Sequence, residues 1–372
     1  MKVALVHDYI KEYGGAERVL RVLTDLFPKA PIYTAFFVKD SVACKEFSDR
    51  KIIESKWGWL IKYWNLYSPL RFLLPSIWRS IDLSEYDLVV TSCSGYLARG
   101  FKKGAKTKVI AYCHTPPKFL YGYQTSIDWQ KYWPIRVYGT IINHFIRIFD
   151  FESAEEVDFW IANSDNVKER IKKFYRKDAE VVYPPIDVKE IFAASENVTK
   201  EDYFFIASRL VGGKGLKEAA EAISKLGLRL KIAGEAAGYA KVKKELESIK
   251  DNRIELLGRV SDKELYSLYA KARGFIALEK DVDFGMTPVE AMAAGTPTIA
   301  LDSGGYKETV VDGETGILIK DREKETIRKA IERFNRIKWD KKRLQDNAKK
   351  FSKERFKTEM RRFVEERIYA DK

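Results

Sequence analysis

Short apolar runs alternate along the chain with longer stretches whose apolar residues recur at helical spacing. The first run is Val3–Val6. A turn at Gly14-Gly15 follows, then Ala16–Phe27, where Val19, Leu20, Val22, Leu23 and Leu26 share one helical face. Further runs fall at Asp87–Val90, Val109–Tyr112 and Phe159–Ala162. Runs that are apolar throughout, set between helices, belong in a parallel sheet covered on both faces. This half therefore predicts a Rossmann-like α/β domain.

The pattern restarts after Tyr183-Pro184-Pro185, whose prolines break any regular element. Apolar runs return at Tyr203–Ala207, Leu230–Ala233, Ile254–Leu257, Phe275–Leu278 and Pro297–Leu301. Helical stretches such as Leu216–Leu226 and Lys263–Ala272 separate them. The expectation is a second Rossmann-like domain over 185–349, following a first over 1–184. From about Asp340 the chain is highly charged, with sparse apolar positions at Phe351, Phe356, Met360, Phe363 and Val364. These read as surface helices, with 350–372 packing back on the first domain. Ligands of open parallel sheets sit beyond the carboxyl ends of the strands, so two such domains facing a central cleft would bind there.

A length of 372 residues suits two or three domains. No apolar run reaches the eighteen residues of a spanning helix. The start reads as a buried strand rather than a signal peptide. Three scattered cysteines suit a reducing compartment and make no metal-binding spacing. A net charge of +13 favours anionic partners such as phosphorylated ligands or an acidic membrane surface, or serves solubility alone. Nucleic acid is not expected, because no zinc-finger spacing, basic heptad region or aromatic RNA-binding signature is present.

Three glycine turns follow strands of the second half. Arg209-Leu210-Val211-Gly212-Gly213-Lys214-Gly215 joins backbone amides near a helix start to two cations, a set suited to a diphosphate. It is not a P-loop. In the second, Phe284-Gly285-Met286-Thr287-Pro288-Val289-Glu290, Pro288 suits a first helical turn. The amides of Gly285, Met286 and Thr287 would face the helix mouth. Glu290 could accept from two ribose hydroxyls, or simply complement the helix dipole. Ser303-Gly304-Gly305 is the third, with exposed amides expected to face the same cleft.

These segments, with Gly14-Gly15-Ala16-Glu17, His114-Thr115-Pro116-Pro117 and Leu257-Gly258-Arg259-Val260-Ser261, resemble glycosyltransferase family 4, of GT-B fold. The likeness covers nearly the whole chain. The His114 motif and the first forty residues look most like mannosyltransferases of surface-polysaccharide assembly. The resemblance implies that Arg209 and Lys214 bind the donor diphosphate, helped by the Gly15 amide. Glu290 would hold the ribose, Val260 would lie by the base, and Phe284, Gly285, Met286 and Thr287 would line sugar and phosphate. His114 would contact the transferred sugar or support the leaving group. Transfer would proceed with retention, the leaving diphosphate itself accepting the acceptor's proton.

Where the family places the first of two acids separated by seven residues, this chain has Val282. Asp283, Asp281 or Glu279 could take its place, with Asp283 the nearest. Asp281-Val282-Asp283 also reads as a D-x-D metal motif, but no metal or other cofactor is expected in this fold. Three segments suggest a membrane interface. They are Lys56–Pro75, the cluster Arg99, Lys102, Lys103, Lys106 and Lys108, and the cluster Trp129, Lys131, Tyr132, Trp133 and Arg136. The expected protein is a cytoplasmic enzyme, peripheral at the inner membrane face. It would transfer a hexose, mannose first, from a nucleoside-diphosphate sugar to a lipid-linked or glycan acceptor. A catalytically weak sugar-nucleotide-binding scaffold, or an epimerase or phosphorylase of the same fold, stands beside that reading.

Overall fold

A computed structural model describes residues 1–64, 69–123, 132–235, 241–249 and 251–369. The chain divides into two compact units, with the boundary between Pro185 and Ile186 and a return to the first unit at Phe356.

The first unit is built on strands β1 (Val3–His7), β2 (Ile32–Thr34), β3 (Ile52–Glu54), β4 (Leu88–Cys93), β5 (Lys108–Cys113), β6 (Phe159–Ala162) and β7 (Glu180–Val181). They form one sheet in the order β3-β2-β1-β4-β5-β6-β7, with every neighbour parallel. Successive side chains alternate between two buried layers. Ala4, Val6, Val89 and Ala111 join Trp78, Ile146, Phe149 and Tyr175 on one face. Leu5, Leu88, Val90, Ile110 and Tyr112 join Val19, Leu20 and Leu23 on the other.

That second layer also holds Phe356, Met360, Phe363 and Val364 from the helix Lys353–Val364. These residues are core, not the sparse points of a surface helix. Each such side chain contributes about 1.5–3 kcal/mol on burial, which anchors the segment. Phe351 stays with the second unit, its ring 5.4 Å from that of Phe284.

The second unit contains β8 (Glu201–Ala207), β9 (Leu230–Ala233), β10 (Ile254–Gly258), β11 (Ala272–Ala277), β12 (Thr298–Leu301) and β13 (Gly316–Ile319). Their order is β10-β9-β8-β11-β12-β13, again all parallel. In both sheets the chain begins in the middle, steps outward one way, then crosses to continue the other way. That change of direction is the topological switch at which open α/β sheets bind ligands.

The basic cluster read at residues 99–108 is largely neutralised. Arg99 is buried and paired with Asp150, which also accepts from Tyr121 Oη (2.6 Å) and Tyr175 Oη (3.1 Å). Lys103 lies 3.2 Å, and Lys108 3.9 Å, from Asp158. The Lys56–Pro75 stretch divides between core and surface. Ile61 and Leu74 are buried, while Trp57, Trp59 and Phe72 are exposed. Asn65, Leu66, Tyr67 and Ser68, and Trp129 and Lys131 of the third cluster, lie outside the described residues.

Candidate functional site

The expected site residues fall into two groups, one in each unit. In the second unit they gather at the carboxyl ends of β8, β10 and β11. Arg209 and Lys214 follow β8, with Arg209 exposed. Their loop ends at Gly215, which has φ +70° and caps the helix Leu216–Lys225. A Cβ at Gly215 would sit 2.6 Å from Leu278 Cβ and 2.9 Å from Leu278 O. Only glycine lets this loop close against the end of β11.

Lys214 pairs with Glu279, at the mouth of the neighbouring loop. Their carboxylate–ammonium contact occupies the cation expected to meet a diphosphate, so an incoming phosphate competes with Glu279. Arg322 Nη1 donates to Gly213 O at 3.2 Å and adds a third cation beside this turn. Spacing along the chain could not reveal it, since 109 residues separate the two.

Gly285 has φ +91° and caps the helix Met286–Ala293. The amides of Met286 and Thr287 have no acceptor within the helix, and Pro288, third in the helix, has no N–H to satisfy. Glu290 is buried on the next turn, where Tyr269 Oη donates to its Oε2 at 2.9 Å. Thr296 Oγ1 in turn donates to Tyr269 O at 2.6 Å, which fixes the tyrosine. Tyr269 was missed from sequence because 21 residues separate it from Glu290 and it looks like one more apolar helix position.

Two expectations for this loop are corrected. Phe284 does not present its side chain to a ligand; the ring is buried against Phe351, which leaves only its backbone. The turn at Gly304-Gly305 is a clamp rather than a bare amide pair. Gly305 N donates to Val282 O at 3.0 Å, and Ser303 Oγ accepts from Asp281 N at 3.1 Å. Val282 itself is buried, so an apolar side chain fills the place of the family's first acid. Asp283 is partly exposed beside it, and Val260 is partly buried just beyond β10. Tyr306 lies against Gly285, its hydroxyl kept protonated by burial and by the Glu279 charge, which together push its pKa well up.

In the first unit, Gly15 opens the helix Gly15–Leu26, and Gly14 N donates to Glu17 Oε2 at 2.9 Å. Glu17 Oε1 lies 3.6 Å from His7 Nε2. Ser92 Oγ lies 3.1 Å from His7 Nδ1 and 2.8 Å from His114 Nε2. Gly14, next to Gly15, is thus linked to His114 through Glu17, His7 and Ser92, three residues that sequence reasoning left without a role. Burial, and secondarily His7, pulls the His114 imidazole down to about 3, so it is neutral near pH 7. Asp8, next to His7, accepts from Ser94 Oγ (2.6 Å) and from the amides of Ser94, Tyr96 and Ala98 (3.0 Å each). It orders the loop after β4 rather than facing a ligand. Among the described residues no group of three or more His, Cys, Asp or Glu could hold a metal ion.

Two α/β units, each built on a parallel sheet, make the fold class of GT-B glycosyltransferases, and solved structures carry the same fold. The Anabaena protein HepE in complex with UDP and glucose superimposes with a TM-score of 0.70 at 18% identity, covering 98% of this chain and 99% of that one. Sucrose-phosphate synthase from Thermosynechococcus elongatus gives 0.70 at 17% identity over 100% of both. The Glyco_transf_4 family, described as Glycosyltransferase Family 4, matches residues 13–190, and Glycosyl transferases group 1 matches 187–351. The chain belongs to glycosyltransferase family 4. An uncharacterized glycosyltransferase of Methanocaldococcus jannaschii is 29% identical over 56% of this chain, which spans 58% of that relative's length. An alpha-1,3/1,6-mannosyltransferase of Dictyostelium discoideum is 27% identical over 68% of this chain and 67% of its own.

Proposed function

We propose that the protein is a retaining glycosyltransferase that moves a hexose, mannose first, from a nucleoside-diphosphate sugar to a lipid-linked or glycan acceptor. The observation that carries this reading is the buried Glu290, oriented by Tyr269, on the same sheet edge as the Lys214 and Arg322 turn. A carboxylate suited to a ribose and a cationic turn suited to a diphosphate are the two halves of a sugar-nucleotide site. The Dictyostelium mannosyltransferase supports the sugar, and the Anabaena complex with UDP and glucose supports the donor class.

In this mechanism Arg209 and Lys214 stabilise the departing diphosphate, with the Gly15 amide assisting. Preorganised charge of this kind is often the largest single contribution to rate. The diphosphate accepts the acceptor's proton on the face it leaves, so no enzymic nucleophile takes part. Neutral His114 contacts the transferred sugar as a hydrogen-bonding partner. Asp283 takes the place of the acid that Val282 lacks. No metal is required, because the side-chain cations neutralise the diphosphate. The enzyme works as a peripheral protein at the inner face of the cytoplasmic membrane.

Nucleotide release across a panel of sugar nucleotides, with NMR assignment of the product anomer, tests the proposal. Turnover with retention is expected. Lys214→Ala should lower it roughly 10²- to 10³-fold, and a chelator should leave it unchanged. An inverted product, or loss of activity in chelator, would overturn the mechanism. The buried Val282 favours one second reading, a weakly active sugar-nucleotide-binding scaffold. Donor binding without turnover would establish that reading instead.

A further inference from the structure

The helix Trp133–Glu155 is apolar on two sides. Its inner side buries Ile146, Phe149 and Ala154 in the core of the first unit. Its outer side carries Trp133, Val137, Ile141, Phe145 and Ile148, exposed by 70, 49, 53, 63 and 46%. These positions are spaced by four, four, four and three residues, so they form one continuous stripe. At 1.5 Å per residue the stripe is about 22 Å long. A soluble helix normally turns charge toward water, and an exposed apolar stripe of this length marks an interaction surface.

The charge around the stripe says what it meets. No acid occurs between Tyr132 and Phe149, whereas Arg136 and Arg147 do. The two exposed acids at the far end are already paired, Glu152 with Arg79 (3.7 Å) and Glu155 with Lys177 (2.7 Å). The neighbouring turn Pro69–Leu73 is held to the helix by Tyr138 Oη on Pro69 O. It adds the exposed Phe72. Among the described residues no helix is long and apolar enough to cross a membrane.

We propose that this outer face is where the protein lies on an anionic lipid bilayer, in the plane of the headgroups. Side chains that protrude singly from a helix suit a fluid surface, into which such helices sink roughly 5–10 Å. The inference rests on the reading of a membrane-peripheral transferase and names the element that does the docking.

The test uses the full chain with two kinds of vesicle, pure phosphatidylcholine and a mixture with phosphatidylglycerol. The parent should float with the mixed vesicles at low salt and much less with the neutral ones. The double variant Ile141→Asp/Phe145→Asp should bind at least tenfold less, with an unchanged melting temperature, because both side chains are solvent-exposed. Equal binding by parent and variant would overturn the assignment of the face. So would sedimentation showing a dimer that the double variant dissociates, because the stripe would then join two copies. Sugar-nucleotide turnover on a water-soluble acceptor separates this inference from the reading beneath it. Turnover without any vesicle binding sinks the docking surface and the membrane location while leaving transfer standing. Vesicle binding without turnover leaves the surface standing alone.

Discussion

Glu17 divides its carboxylate between a helix start and a histidine, with one oxygen on Gly14 N and the other toward His7 Nε2. A buried negative charge there favours the His7 tautomer with its proton on Nε2. His7 Nδ1 then accepts from Ser92, whose oxygen accepts from His114 Nε2–H. The result is a bare His114 Nδ1, able to accept from a sugar hydroxyl. Nitrogen-15 NMR should therefore find the Nε2–H tautomer of His114 at pH 7, and Glu17→Gln should mix the two forms at nearly unchanged stability. An Nδ1–H tautomer in the parent would rule the chain of bonds out. With three histidines in the protein, the resonances are few enough to assign. A second consequence concerns acid. His114 binds its proton near 3 when folded, against an unfolded value near 6.5. Stability held above pH 6.5 is thus lost as pH falls toward 3, by about 1.4 kcal/mol per pH unit for this one group. His114→Gln should flatten the pH dependence of unfolding across that window by about one proton, and an unaltered slope would count against it. The motif residues were legible in sequence because each repeats a local pattern. Ser92 was not, because a serine closing an apolar run carries no signal until the sheet sets it between two histidines.

The elements that position the site are loops held by other loops. Gly305 lies so close to the preceding loop that a Cβ would fall 2.4 Å from Phe284 O. Gly305→Ala must therefore push the Val282–Phe284 backbone away. It should weaken donor binding by tenfold or more, and it should lower the melting temperature through backbone strain. Donor titration by thermal shift measures both, and unchanged affinity would show that the clamp has no part in binding. Continuous apolar runs such as Val109–Tyr112 revealed the central strands. The strands β2, β3 and β7, two or three residues each, have too few positions to show a period. β13 has only four. The helix Trp133–Glu155 escaped for the opposite reason. With apolar residues on both sides, its hydrophobic positions no longer single out one helical face.

Across the molecule, the first unit depends on a charge pair that crosses its core. Arg99 and Asp150 are both buried, with Tyr175 bonded to each and the guanidinium set over the Trp160 and Tyr175 rings. Asp150→Ala would strand a buried cation, at a cost of about 3–5 kcal/mol. A loss of roughly 10 °C in the melting transition is expected for a unit of this size. Arg99→Met combined with Asp150→Leu should recover most of it, and a double variant no better than the single would show that the pair itself is not the cause. The sequence by itself determined the α/β class, the restart after Pro185, and the glycine turns that end the strands. Those follow from periodicities and backbone freedoms that act over a few residues. Only the tertiary structure decided that Arg99 is core and not surface charge, that Tyr269 orients Glu290, and that Arg322 joins the Gly213 turn. Each joins residues between 21 and 109 positions apart. At such separations only chain closure and packing decide which polar group meets which.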